Sequence, residues 1–258
     1  HEQHADVALQ LPTGSGKTLV GLLIAEWRRR KYNERAVYLC PTNQLVHQVA
    51  EHARGKYGLD VHPFVGSKGE YDKTASADWH AGDILGITNY SSLFNTRPFF
   101  EAPHLIILDD AHSAENYIAN CWSLHVERRN KKHAATYNAL AGVLAESLPA
   151  SDAARLLEDS TEDDGRWVDL IPGPQFASKV TELVPLLDAN TKDTDLWFPW
   201  SFIRDSLETC LCYVSTRAIL IRPLIPPANQ HTPFSTANQR IYMSATLGEG
   251  GDLERITG

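Results

Sequence analysis

The 258-residue chain has few cysteines, no long apolar run and no excess of positive charge, and each shortage excludes something. Four cysteines (Cys40, Cys121, Cys210 and Cys212) make no disulfide framework at this length, so reduced thiols and a cytoplasmic setting are expected. Cys210 and Cys212 have metal-like spacing, but no matching pair or nearby histidine joins them, and core packing is their expected role. No apolar stretch is long enough to span a bilayer and no signal peptide precedes the first apolar strand, so no membrane partner is expected. The net charge of −8 argues only weakly against a nucleic-acid partner, because phosphate contact depends on a local face and not on the total. Much of the acid lies in one segment, from Glu158-Asp159 through Glu162-Asp163-Asp164, which reads as an exposed loop. The run Arg28-Arg29-Arg30-Lys31 reads as a solvated helix end, where positive charge complements the helix dipole. There is no internal repeat. With 43% hydrophobic residues, the chain can bury a sizeable core in one or two domains.

What is present is concentrated first at Leu11-Pro12-Thr13-Gly14-Ser15-Gly16-Lys17-Thr18. This approximates the phosphate-binding loop G-x-x-x-x-G-K-[ST], with Leu11 where the first glycine usually stands. The chemistry resides in the intact Gly16-Lys17-Thr18 end. Amides of a tight turn surround phosphate at a helix N-terminus, where the dipole favours negative charge. Pro12, Thr13, Gly14, Ser15 and Gly16 are therefore the expected cradle; Lys17 reaches the β- and γ-phosphates, and the Thr18 hydroxyl ligates Mg²⁺. The turn follows an apolar strand at 7–11 and precedes an amphipathic helix. Val20, Leu23, Ile24 and Trp27 are expected to share the helix face that packs on a sheet, a placement that an ordinary Gly-Ser-Gly loop does not explain.

A second half of an ATP site follows. The run His104-Leu105-Ile106-Ile107-Leu108 is continuously apolar, as a buried parallel strand requires, and ends in Asp109-Asp110-Ala111-His112. A carboxylate at such a strand end suits Mg²⁺ coordination, assigned to Asp109, and the next acid, Asp110, is placed to orient or deprotonate the attacking water. Asp-Asp in isolation is more often a solvated turn; the loop above tips the balance.

Strands are expected at 7–11, 35–40, 61–65, 83–88 and 105–108, with helices at 17–30, 44–56 and 90–94. The alternation predicts an α/β fold with a parallel sheet covered on both faces and ligands at the carboxyl ends of its strands. Residues 115–215 lack this rhythm and read as mostly helical, with stripes at 134–148, 153–157 and 179–187 and an aromatic cluster, Trp197-Phe198-Pro199-Trp200 with Phe202, that reads as core. Strand character returns at 218–221 and 240–243.

Together these elements resemble the first RecA-like domain of a superfamily 2 DEAD/DEAH-box helicase, a P-loop NTPase. Leu11 to Thr18 matches motif I, Pro41-Thr42-Asn43-Gln44-Leu45-Val46-His47-Gln48-Val49 is similar to motif Ia, Asp109 to His112 to motif II, and Ser244-Ala245-Thr246 to motif III. The resemblance covers most of residues 1–112 and 218–258. Gly66 to Tyr71, Asp83 to Leu93 and Pro223 to Pro227 resemble more narrowly the XPD/DinG-like branch, which carries an arch domain between motifs II and III. Two departures stand out. Asp72 follows Tyr71 where a cluster cysteine would stand, so no iron–sulfur cluster is expected, and Asp110 replaces the family's glutamate, one methylene longer.

The resemblance implies domains at 1–114, 115–215 (a helical, arch-like insertion) and 216–258, with a second RecA-like domain outside this chain as a partner. His112, Ser244, Ala245 and Thr246 would couple the γ-phosphate to domain movement. Pro41, Thr42, Gly66, Thr88 and Asn89 would touch a nucleic-acid backbone, single-stranded DNA being favoured and RNA open, with little sequence specificity. The insertion would serve as wedge, guide or protein-docking site. The chain opens and closes inside recognisable domains, so it is expected to be an excised piece that binds nucleotide with little turnover. A duplex-DNA translocase of a restriction or phage-defence system, an RNA helicase, and a degenerate ATPase acting as a nucleotide-gated scaffold stay open as alternatives.

Overall fold

A computed structural model describes residues 4–158, 167–248 and 250–258; most of the acidic segment, from Asp159 through Asp164, lies outside them. The chain runs through β1 (Asp6–Gln10), α1 (Lys17–Tyr32), β2 (Ala36–Cys40), α2 (Asn43–Tyr57), β3 (Val61–Pro63), α3 (Lys73–Ala81), β4 (Leu85–Asn89), α4 (Tyr90–Leu93) and β5 (Leu105–Asp109). After α5 (Glu115–Asn120) come β6 (Leu124–Glu127), α6 (Ala134–Ala145), α7 (Ala150–Leu157), β7 (Val168–Ile171), α8 (Gly173–Asn190), α9 (Trp197–Ile203), β8 (Cys210–Ser215) and β9 (Ala218–Pro223). The chain ends with α10 (Thr232–Ser235), β10 (Gln239–Ser244) and α11 (Asp252–Thr257). It divides into two compact units, His1–Ile118 with Ile225–Gly258, and Ala119–Leu224.

The first unit is a six-stranded sheet in the order β1-β10-β5-β2-β4-β3, with every pairing parallel. Parallel strands covered on both faces must be apolar throughout. Accordingly β2 is buried at every position, and Leu105 through Leu108 of β5 are fully buried. The α/β reading with a parallel sheet holds.

Helix α1 is rotated from its expected setting. Gly21, Leu22, Ala25 and Arg28 form its buried side, whereas Leu23 is 51% and Trp27 43% exposed. Small residues decide the matter: a Cβ at Gly21 would lie 2.6 Å from Met243 Cε and 2.9 Å from the Tyr38 ring. The helix therefore rests on the sheet along this stripe, with the partly buried Ile24 also packed against the core as expected. Arg28 is likewise no solvated helix end. Its guanidinium is buried and donates to both carboxylate oxygens of Glu34, at 2.5 and 2.7 Å, and to Gln239 at 2.6 Å. Arg29 pairs with Glu26 and donates to the Asp83 carbonyl at 2.7 Å.

Helix α3 was not anticipated, since its sequence carries only Ala75 and Trp79 as buried positions one turn apart. Local chemistry sets its ends: the Asp72 carboxylate accepts from the Ala75 amide at 2.7 Å, and Gly82 closes it with φ of 82°.

The second unit contains a four-stranded antiparallel sheet, β6-β9-β8-β7, besides its helices. The strand expected at 218–221 is present as β9, and it pairs with β8 and β6 inside this unit. The signal was a period-two alternation, buried at Cys210, Cys212 and Val214 and again at Ile219 and Ile221. Both β8 cysteines are core residues, and burial pushes the Cys210 thiol up to about 12. Trp200 is buried within the unit, its indole donating to Asp188 at 2.9 Å.

The Arg28–Glu34 pair yields a stability prediction. Burial pushes the Glu34 carboxyl up, but hydrogen bonds and charge from Arg28 push it further down, so its net direction is below the ordinary carboxylate value. A depressed acid stabilises the fold at neutral pH and loses that contribution as the pH falls through its folded value. Arg28→Ala leaves a buried carboxylate and should cost about 3–5 kcal/mol in urea unfolding at pH 7. The deficit should shrink in acid; a loss below about 1 kcal/mol would mean that the pair is effectively solvated.

Candidate functional site

The phosphate-loop residues occupy the turn between β1 and α1. The Leu11 amide donates to the Ser244 carbonyl at 2.9 Å, fastening the loop's base to the end of β10. The Ser15 amide and hydroxyl both donate to the Pro12 carbonyl, at 3.2 and 2.7 Å, which tightens the turn. Gly14 and Gly16 have φ of 79° and 84°, a left-handed backbone that side chains resist. A Cβ at either would meet nothing within 4 Å, so the positive φ and not crowding calls for glycine there. Gly16 precedes α1 without a side-chain cap. The Val20 amide is the first to find an acceptor in the helical pattern, donating to the Gly16 carbonyl at 3.1 Å. The amides of Lys17, Thr18 and Leu19 therefore have no backbone acceptor among the described residues. Such open amides at a helix N-terminus fit a phosphate chain.

Across the loop, β5 delivers Asp109 and Asp110. Lys17 Nζ lies 3.3 Å from Asp110 Oδ1, so motifs I and II already touch. Asp109 accepts the Asp110 amide on Oδ1 at 3.1 Å, and its carbonyl accepts the Tyr90 hydroxyl at 2.7 Å. Burial holds the Asp109 carboxyl above its ordinary value; a Tyr38 hydroxyl opposes this, the Asp110 charge adds to it and Lys17 reduces it. A cation would relieve that cost. Asp109 and the Thr18 hydroxyl flank the same buried Tyr38 oxygen, which puts two hard oxygen donors together. Among the described residues no group of three or more His, Cys, Asp or Glu side chains could hold a metal by itself. Two donors suit Mg²⁺, which keeps waters and takes the rest of its shell from phosphate.

The third motif closes the arrangement. His112 Nδ1 lies 2.6 Å from Ser244 Oγ. The Ser244 hydroxyl donates to the Thr246 carbonyl at 2.8 Å and accepts the Thr246 amide at 3.2 Å. Ala245 sits half-buried between them.

The residues expected to face nucleic acid lie at the carboxyl ends of β2, β3 and β4. The Thr42 hydroxyl accepts the Leu45 amide at 3.3 Å and starts α2 after Pro41; Asn89 caps α4 by accepting from Ser92 at 2.8 Å. The Asn89 amide also donates to Asn43 at 2.5 Å, joining the two strand ends. Gly66, Asn43 and Asn89 border a cavity of about 450 Å³ together with Lys68 and Arg97. Thr88 is corrected: its side chain is fully buried and its hydroxyl donates to the Phe64 carbonyl at 2.6 Å, so it is spent inside the fold. Asn43 and Lys68 were legible as parts of the motif Ia and Gly66–Tyr71 segments; Arg97 carried no signal.

A family profile for the DEAD/DEAH box helicase matches residues 1–137, just over half the chain. The chain belongs to the DEAD/DEAH box helicase family. Among solved structures, the helicase chain is similar to S. tokodaii Xpd4, at 13% identity and TM-score 0.47, covering 95% of this chain and 54% of that one. It is also similar to the UvsW helicase from bacteriophage T4, at 18% identity and TM-score 0.34, over 45% of this chain and 44% of that one. The Pyrococcus furiosus Hef helicase domain matches at 15% identity and TM-score 0.39, over 99% of this chain and 32% of that one. The chain thus spans about half, or less, of the length of these helicases. No curated protein matches it.

Asp110 itself is under backbone strain, with φ and ψ both 50° in a non-glycine residue beside a second carboxylate. Relieving both should stabilise the helicase domain. Asp110→Gly is expected to raise the unfolding free energy by about 1 kcal/mol, read by urea melts. A loss of stability would mean that the 3.3 Å contact to Lys17 outweighs the strain.

Proposed function

We propose that this chain is the first ATPase domain of a nucleic-acid helicase or translocase whose track is single-stranded DNA. The observation that carries this reading is the direct contact of His112 with Ser244, made at the same sheet edge where Lys17 meets Asp110. A plain nucleotide-binding fold needs Lys17 and its loop but has no use for a link between His112 and Ser244. In this reading the amides and side chains from Pro12 to Lys17 hold the phosphates, and Thr18 and Asp109 hold Mg²⁺. The metal supplies neutralisation of phosphate charge when bound. Asp110 orients or deprotonates the attacking water. His112, Ser244, Ala245 and Thr246 pass the state of the γ-phosphate toward the body of the domain. Pro41, Thr42, Gly66 and Asn89 meet the strand backbone, with Asn43, Lys68 and Arg97 beside them; such contacts position a strand without reading its sequence.

The domain division belongs to the same proposal: two RecA-like segments that form one ATPase unit, interrupted by an insertion that serves as guide, wedge or docking site. A second RecA-like domain would supply the arginines that stabilise the transferring phosphoryl group, a contribution worth roughly 10³–10⁵ in rate. The assignment to the XPD/DinG-like branch rests on the sequence segments alone. A second reading, a nucleotide-gated scaffold, is favoured by one observation, the shorter aspartate at Asp110.

The test is ATP hydrolysis by the longer protein, with and without single-stranded DNA, single-stranded RNA and duplex DNA. Stimulation by single-stranded DNA that disappears in Lys17→Ala is the expected result; stimulation by RNA or duplex DNA instead would replace the track. Nucleotide binding with no stimulation by any polymer would favour the scaffold. Asp110→Glu separates the readings further. A displacement on the order of 1 Å can cost about a hundredfold, so a comparable gain in turnover would mark a slowed site, and no gain a competent aspartate.

A further inference from the structure

Strand β2 alternates its side chains across the sheet, which places Ala36, Tyr38 and Cys40 on the side facing α1. Tyr38 stands in register with Ile107, and the next β5 residue on that face, toward the carboxyl end, is Asp109. The Tyr38 ring is fully buried under α1 at the bare Gly21 position. Its hydroxyl stands close enough to the Asp109 carboxylate and the Thr18 hydroxyl to influence both, yet reaches full hydrogen-bond geometry with neither. A buried hydroxyl left unpaired is costly, and phenylalanine would fill the same space without that cost. Tyr90 differs: its hydroxyl is already satisfied by the Asp109 carbonyl at 2.7 Å.

We propose that Tyr38 is a positioning residue for the metal–nucleotide complex, its hydroxyl held unpaired in the free protein and engaged when Thr18 and Asp109 take up Mg²⁺. The proposal rests on the assignment of those two residues to Mg²⁺. A threonine hydroxyl that turns a lone pair to a cation must point its proton at an acceptor, and the Tyr38 oxygen is the neighbour available. The Tyr38 proton then goes to the Asp109 carboxylate and fixes its orientation toward the ion. The chain Thr18 to Tyr38 to Asp109 gives every hydroxyl one donor and one acceptor role. Partners of this kind behind metal ligands are worth roughly 10- to 100-fold in metal affinity.

The experiment compares wild type, Tyr38→Phe and Tyr90→Phe by binding of a fluorescent ADP analogue with Mg²⁺ and with EDTA, and by thermal melting without nucleotide. Tyr38→Phe should melt at or above the wild-type temperature and bind the analogue normally in EDTA. Its Mg²⁺-dependent gain in affinity should fall by about tenfold. Tyr90→Phe should melt lower and keep that gain. A Tyr38→Phe variant that melts lower with its Mg²⁺ gain intact would show a structural hydroxyl and overturn the proposal, as would an equal loss of gain in both variants. Lys17→Ala separates the underlying reading: if wild type and Lys17→Ala bind the analogue equally, the phosphate-site assignment itself fails. If only Lys17→Ala loses binding while Tyr38→Phe matches wild type throughout, the site stands and the role of Tyr38 does not.

Discussion

Strand β10 lies between β1 and β5, parallel to both, and this pairing governs where every group of the nucleotide site can stand. The register sets Gln10 beside Ser244 and Met243 beside Asp109, so the ends of three strands finish level. From that level edge the loop's first amide reaches the Ser244 carbonyl, and the Ser244 hydroxyl reaches His112. Side chains alternate along a strand, so a slip of one residue would turn Ser244 away from His112 and Asp109 away from Thr18. A small residue on α1 serves the same end. Gly21 lets the helix settle close to Met243 and Tyr38, and that depth brings Thr18 near the Tyr38 hydroxyl that Asp109 also approaches.

The parts legible in the sequence were those whose chemistry is local. Gly14, Gly16 and Lys17 announce a phosphate loop because positive φ and a reaching cation leave few residue choices. The apolar run ending in Asp109 announces a buried strand because both its faces are covered. The parts that were missed depend on partners distant in the chain. Arg28 looked solvated because Glu34 and Gln239 become its partners only after folding. Trp27 reads as core by hydrophobicity alone, whereas closeness of approach at Gly21 decides which face is buried. Thr88 looked available because nothing local reveals that Phe64 offers it a carbonyl. Strand β8 is obscured because its alternation interleaves half-buried residues with buried ones, and Tyr38 stands in an apolar run where a ring is ordinary.

The segment between β3 and β4 shows how aromatic packing organises a stretch that carries no cysteine. Phe64 stacks on Phe99 at 5.2 Å, Tyr71 meets Phe99 edge-on at 5.2 Å, and Trp79 meets Phe100 edge-on at 4.8 Å. The Trp79 indole donates to the Ala36 carbonyl at 3.0 Å, binding this knot to β2. Edge-to-face contacts of this sort add specific geometry to large buried areas. They fix the wall behind Gly66 and Lys68, the side of the cavity that Asn43 and Asn89 complete.

The chain leaves the parallel sheet after β5 and comes back to it at β10, and these two strands are hydrogen-bonded neighbours. The intervening unit therefore hangs from a single crossover between adjacent strands and supplies no strand to the parallel sheet. In terms of covalent architecture it is a cassette. None of its described strands enters the six-stranded sheet, so the order β1-β10-β5 is set without it.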